Sequence, residues 1–165
     1  MAIAPSGAGP LIARWGSAKF ATDGDTVNRA LAEGEVSSNT VNVQVEILDS
    51  VLGEEKPALM KIDVEGFETP VLRGAEKTLA DLTLNSVIME LNSSGDRYGY
   101  EESAILELMF DVGFRSYSYE PFGRTLTDLK GKNLESGNTL FIKDRQYAEE
   151  RIRSAPKIML NSRAF

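Results

Sequence analysis

Lys61-Ile62-Asp63-Val64-Glu65-Gly66-Phe67-Glu68 is the stretch that decides the fold of this chain. An apolar run from Ala58 to Val64 ends in carboxylates spaced around a glycine, and a helix start follows at Thr69-Pro70. Acidic side chains at the carboxyl end of a strand, just before a strand-to-helix turn, stand where open α/β sheets bind ligands. The run has little alternation, which suits a parallel strand covered on both faces. Thr69 is placed to cap the helix, with Pro70 as its first residue. Val71, Leu72, Ala75 and Leu79 then share one helical face.

Working outward, Val41, Val43, Val45 and Ile47 alternate with polar residues and predict a half-buried strand. Ser86 to Leu91 predicts another strand. Glu102 to Val112 predicts a helix, which Gly113 ends. Phe114 to Glu120 and Thr139 to Lys143 read as two further strands joined by a polar connection, and Arg145 to Arg153 as a charged helix. The last ten residues read as a loose tail. Upstream, Leu11 to Ala21 reads as an extended or hairpin segment. Thr22 to Asn39 reads as a loop with one helical turn near Val27 to Leu31. Strand–helix–strand–helix–strand predicts an α/β fold with a parallel sheet and right-handed crossovers. The two final strands are expected to close it as an antiparallel hairpin at one edge. The expected division is a domain over residues 1–144, with the charged helix and tail over 145–165.

Composition narrows the function. The 165 residues are 26% charged and 42% apolar, with a net charge of −7. That length buries roughly 70% of the unfolded surface in one domain. The negative charge disfavours nucleic acid and anionic membranes as partners. No apolar run is long enough to span a bilayer. The opening, Met1-Ala2-Ile3-Ala4-Pro5-Ser6-Gly7, has neither the basic region nor the apolar stretch of a secretory signal, which predicts a cytoplasmic protein. There is no cysteine and no histidine. Thiol catalysis, disulfides, thiolate or imidazole metal sites and a Ser-His-Asp triad are therefore excluded. Acid–base chemistry must come from Asp, Glu, Lys or Tyr.

Leu59-Met60-Lys61-Ile62-Asp63-Val64-Glu65-Gly66-Phe67-Glu68, followed by Val71-Leu72-Arg73-Gly74-Ala75, resembles the signature of the FkbM family of methyltransferases. Val45 to Leu52, Val87-Ile88-Met89-Glu90-Leu91-Asn92 and Gly137-Asn138-Thr139-Leu140-Phe141 resemble further family segments in the right order. The resemblance covers about residues 41 to 143. It implies a partial Rossmann-like methyltransferase sheet. It also implies S-adenosylmethionine as cofactor and methyl transfer to a hydroxyl oxygen of a sugar, lipid or natural product. The family's glycine-rich turn after its first strand has no counterpart here: Gly7-Ala8-Gly9 is followed by Pro10. Ala2-Ile3-Ala4 is then expected to be the tail of the family's third strand, and the chain the C-terminal portion of the domain. The octet strand would be left with one edge unpaired.

On this reading Asp63 and Glu65 share a strand face and are the candidate catalytic and cofactor-binding residues. A carboxylate there faces the cofactor amine or takes the acceptor's proton; the alternative is that both merely hold the turn and the next helix. Glu90 and Asn92 end the neighbouring strand and are the candidate substrate-binding residues, or simply a solvated strand end. Lys61 reads as an ion-pair partner of Asp63, and Glu68 as part of the helix start. No metal is expected. Tyr98, Tyr100, Tyr117 and Tyr119 line an acceptor pocket or serve as packing. Asp23-Gly24-Asp25 begins like a calcium loop but lacks the later ligands. A second reading makes the chain a non-catalytic module that forms homo-oligomers through its open sheet edge.

Overall fold

The structure, a computed structural model, describes residues 16–22, 29–135, 137–160 and 163–164. Three strands form a small antiparallel sheet: β1 (Gly16–Ala21), β2 (Arg29–Ala30) and β3 (Thr40–Val45), in the order β2-β1-β3. Helix α1 (Leu48–Leu52) leads into the main sheet. That sheet holds β4 (Leu59–Ile62), β5 (Ser86–Glu90), β6 (Arg115–Glu120), β7 (Thr125–Leu129) and β8 (Asn138–Ile142), in the order β4-β5-β8-β6-β7. Helices α2 (Glu68–Arg73) and α3 (Glu76–Ala80) cross from β4 to β5, and α4 (Glu102–Asp111) from β5 to β6. Helix α5 (Arg145–Ser154) follows β8. A two-residue ladder then joins Met159–Leu160 to Arg163–Ala164 where a loose tail was expected.

The main sheet differs from the expected one. Only β4 and β5 pair in parallel; β8 runs antiparallel to both β5 and β6. The final strands therefore do not close the sheet as an edge hairpin. Instead β8 lies between β5 and β6, and the edge is taken by β7, which pairs with β6 across a tight turn. The reason is burial: Thr139 and Phe141 are fully enclosed and Ile142 nearly so, which only a central strand achieves. The sheet is mixed, mostly antiparallel, with one parallel pair at its edge. Among the described residues β4 has no strand partner besides β5.

The core gathers Leu72, Ala75 and Leu79 from the β4–β5 crossover, Val87 and Met89 from β5, Ile105 and Met109 from α4, and Phe114 and Phe141. This is the helical face expected from Leu72, Ala75 and Leu79. The other face of the sheet is covered by α5, where Tyr117, Leu126, Ile142 and Ala148 meet.

Local corrections have physical causes. Phe67, not Thr69, occupies the N-cap of α2. The Thr69 hydroxyl is buried without a hydrogen-bond partner. Pro70 is the third helical residue, where the backbone N–H has no intrahelical acceptor in any case. The crossover helix breaks at Gly74-Ala75, and α3 is capped from outside. Asp49 of α1 accepts hydrogen bonds from the Lys77 and Thr78 amides, at 2.8 and 2.9 Å, and from the Thr78 hydroxyl at 2.6 Å. At the other end of α3, the Lys143 ammonium donates to the Leu79 and Asp81 carbonyls and sits 4.8 Å from the centre of the Phe114 ring. β3 forms where alternation predicted a strand, yet its apolar face is open, with Val41 46% and Val43 39% exposed. Arg29 and Ala30 are extended rather than helical. Val27, Asn28, Ala2-Ile3-Ala4, Gly7-Ala8-Gly9 and Asp23-Gly24-Asp25 lie outside the described residues.

Candidate active site

The carboxyl ends of the parallel pair form a rim from two turns. The first follows β4. The strand ends at Ile62, and Glu65 and Gly66 have φ of +52° and +99°. Asp63 and Glu65 therefore do not share a strand face: the backbone reverses its hand between them. Asp63 is exposed and ion-paired with Lys61, as the spacing predicted. Glu65 is half-buried. No ion pair among the described residues involves it.

Gly66 fixes how the two turns meet. A Cβ there would lie 2.5 Å from the Ser94 carbonyl oxygen, so the turn after β4 rests directly on the turn after β5. Glu68 is 4% exposed in the first turn of α2 and accepts a hydrogen bond from the Gly66 amide at 3.2 Å. Burial pushes its carboxyl up. Hydrogen bonds from the turn's amides oppose this, and the nearby Glu65 charge adds to it.

The second turn carries Glu90 and Asn92. Asn92 donates to Glu90 Oε1 at 3.4 Å and accepts from the Ser94 amide at 3.0 Å. Asn92 thus closes its own turn, an Asx motif. The Glu90 side chain lies against Gly137, where a Cβ would come within 2.6 Å of its carboxylate. Ser93 has φ of +63° and is held by Glu102 of α4, which accepts from its amide at 2.8 Å and its hydroxyl at 3.2 Å. Lys132 in turn pairs with Glu102 at 2.7 Å. Spacing gave no hint of this brace, because its two halves come from distant segments. Glu68, Glu90, Asn92 and Glu102 line one narrow crevice, which brings Glu90 and Asn92 beside Glu68; Asp63 and Glu65 do not line it.

The tyrosines divide. Tyr98 and Tyr100 stand at the rim, and Tyr98 meets Phe67 edge-on at 4.9 Å between ring centres. Tyr117 is buried with α5, and Tyr119 lines a cavity of about 570 Å³ beneath that helix. That larger cavity touches Ala58, Leu59, Asn85 and Ser86, at the opposite ends of β4 and β5 from the carboxylates. Ligand chemistry in α/β sheets belongs to the carboxyl ends, which favours the smaller rim. Among the described residues no group of three or more acidic side chains is arranged to hold a metal ion, and no helix is long and apolar enough to cross a membrane.

The described residues form a mixed α/β domain with a carboxylate-lined rim at the carboxyl ends of its parallel strands. The family model for the methyltransferase FkbM domain matches residues 8–116, more than half of the chain, and the chain belongs to that family. No curated protein and no solved structure gives a significant match. The matched segment starts well before the resemblance read from residue 41. It ends in β6, before β7, β8 and α5. Family membership makes the chain a methyltransferase and implies S-adenosylmethionine as the methyl source. That molecule carries a positive sulfonium and an ammonium group.

Proposed function

We propose that this chain is an O-methyltransferase that modifies a hydroxyl group of a sugar, lipid or natural product. The observation that carries the reading is the turn after β4. Asp63 and Glu65 stand at the carboxyl end of the parallel pair, inside the family-matched segment. When bound, S-adenosylmethionine supplies an electrophilic methyl group. Asp63, already beside Lys61, holds the cationic end of the cofactor. Glu65, with no cation of its own, orients the acceptor hydroxyl and takes its proton as the oxygen gains the methyl group. Glu90 and Asn92 bound the acceptor side. The sequence carries no glycine-rich cofactor turn, so binding of the cofactor by these residues alone is expected to be weak.

The test is calorimetry with S-adenosylmethionine, followed by transfer of labelled methyl to a panel of hydroxylated acceptors. Asp63→Asn should weaken cofactor binding by about tenfold. Glu65→Gln should lower the rate by about a hundredfold or more while leaving that binding intact. Full transfer by both variants would sink the assignment.

A further inference from the structure

Beside the carboxylates lies a pocket of about 240 Å³ lined by Leu31, Ala32, Glu33, Phe67, Arg97, Tyr98 and Tyr100. We propose that it is a saccharide subsite that seats one pyranose ring of the acceptor against Tyr98 and Tyr100, with Glu33 and Arg97 taking its hydroxyls. Its role as acceptor site rests on the methyl-transfer reading; its affinity for a sugar does not.

Three observations lead there. The first is position. Phe67 belongs to the octet turn, two residues after Glu65, and Tyr98 and Tyr100 follow the β5 turn, so both turns after the parallel strands contribute to the pocket wall. The second is ring geometry. Phe67 and Tyr98 meet at 84°, while Tyr98 and Tyr100 are splayed by 34° with centres 6.4 Å apart. No two faces stand parallel to sandwich a flat base. Splayed aromatic rings lining a pocket instead suit the C–H face of a sugar, whose slightly positive hydrogens meet the negative π cloud. The Arg73 guanidinium, 5.7 Å from the Tyr100 ring centre, helps hold that ring in place. The third is polarity at the edge. Glu33 accepts and Arg97 donates, the pair needed for vicinal hydroxyls. The volume is enough for one pyranose ring.

The far wall comes from the small sheet, and it is fastened. The Tyr98 hydroxyl donates to the Ala30 carbonyl at 2.6 Å. Arg29 and Glu35 pair across the loop between β2 and β3, and the Ala32 amide donates to Glu35 at 3.0 Å. The hydrogen bond from Arg29, then the Ala32 amide, hold the Glu35 carboxyl down to about 2. The loop that carries Leu31, Ala32 and Glu33 is therefore pre-shaped before any ligand arrives.

The experiment is an amide-resonance titration of the chain with a panel of methyl hexopyranosides, with cyclohexanemethanol as a ring of similar size and one hydroxyl. At least one hexopyranoside should shift the resonances of Leu31 to Glu33, Phe67, Tyr98 and Tyr100 saturably, and cyclohexanemethanol should not. Tyr100→Ala should weaken that binding by about tenfold, Tyr100→Phe should retain it, and Glu33→Ala should weaken it by about threefold or more. Glu33 is exposed, so its variant tests the pocket even if Tyr100→Ala fails to fold. No saturable shift by any hexopyranoside, an equal response to cyclohexanemethanol, or binding untouched by Glu33→Ala would each overturn the proposal. Sugar binding without transfer of methyl to that sugar would leave the subsite standing and sink its role as the acceptor site.

Discussion

Gly66 sets the spacing of the rim more strictly than any charged residue near it. Its φ of +99° and the 2.5 Å approach to Ser94 leave no room for a side chain, because the obstacle is backbone and cannot swing away. Gly66→Ala is expected to cost about 1–3 kcal/mol in urea unfolding. It should also shift the resonances of both turns together, and a silent substitution would mean the turns do not touch. Glu68 makes a second prediction, in pH. Burial raises its carboxyl above the ordinary 4.5, so its contribution to stability is present below that value and lost as pH rises through the folded value. Glu68→Gln keeps an oxygen for the Gly66 amide and removes the buried charge. The variant should be the more stable protein at pH 7, with the gap closing as pH falls towards 4.5. Denaturant curves at pH 7 and pH 5 check the sign, and a gap that widens on acidification would refute the account.

Among the elements, α3 shows how a helix too short to sustain itself is held at both ends. Five residues form no stable helix alone. Asp49 binds its free amides and Lys143 its free carbonyls. Burial pushes the Asp49 carboxyl up, but the Thr78 and Lys77 hydrogen bonds outweigh it and hold it below the usual range. Asp49→Ala should lose about 1–2 kcal/mol of stability, read from the urea midpoint. The parent's advantage should itself fade as pH drops through the lowered carboxyl value, and an advantage that persists at low pH would argue against the cap. Periodicity was enough to find β3, β5 and α4, since each carries its own repeat of apolar residues, while α5 was legible from its run of charged helix formers. It missed β7, where Leu126 and Leu129 are the only apolar residues in the strand, and it could not place β8. A strand's neighbours depend on which edges are left open after the rest of the sheet forms, and that is not written in its own five residues. The same limit holds at the site. That the octet and Glu90-Leu91-Asn92 meet at one rim follows from two parallel strands joined by a helix. That Asn92 closes its own turn and Glu102 braces Ser93 depends on contacts between segments that local pattern cannot see.

For the molecule as a whole, the open edge of β4 is the feature with an outward consequence. Leu59 is 55% exposed at this edge, and the strand's outer backbone groups have no strand partner among the described residues. We propose that two copies associate by adding strand to strand here. Sedimentation equilibrium should detect a dimer that Leu59→Lys weakens. A monomer at every concentration would remove this reading.

The position of β8 also orders events in time. Val87 finds its antiparallel neighbour only in Phe141, and the rim-bearing parallel pair stays a two-stranded fragment until that neighbour is made. During synthesis from the N-terminus, the octet and both site turns emerge well before the strand that seals the sheet beneath them. One edge of β5 therefore stays unpaired until β8 is made. The two rim turns are made early, and the strand that completes the sheet beside them comes late, beyond the stretch the family model recognises.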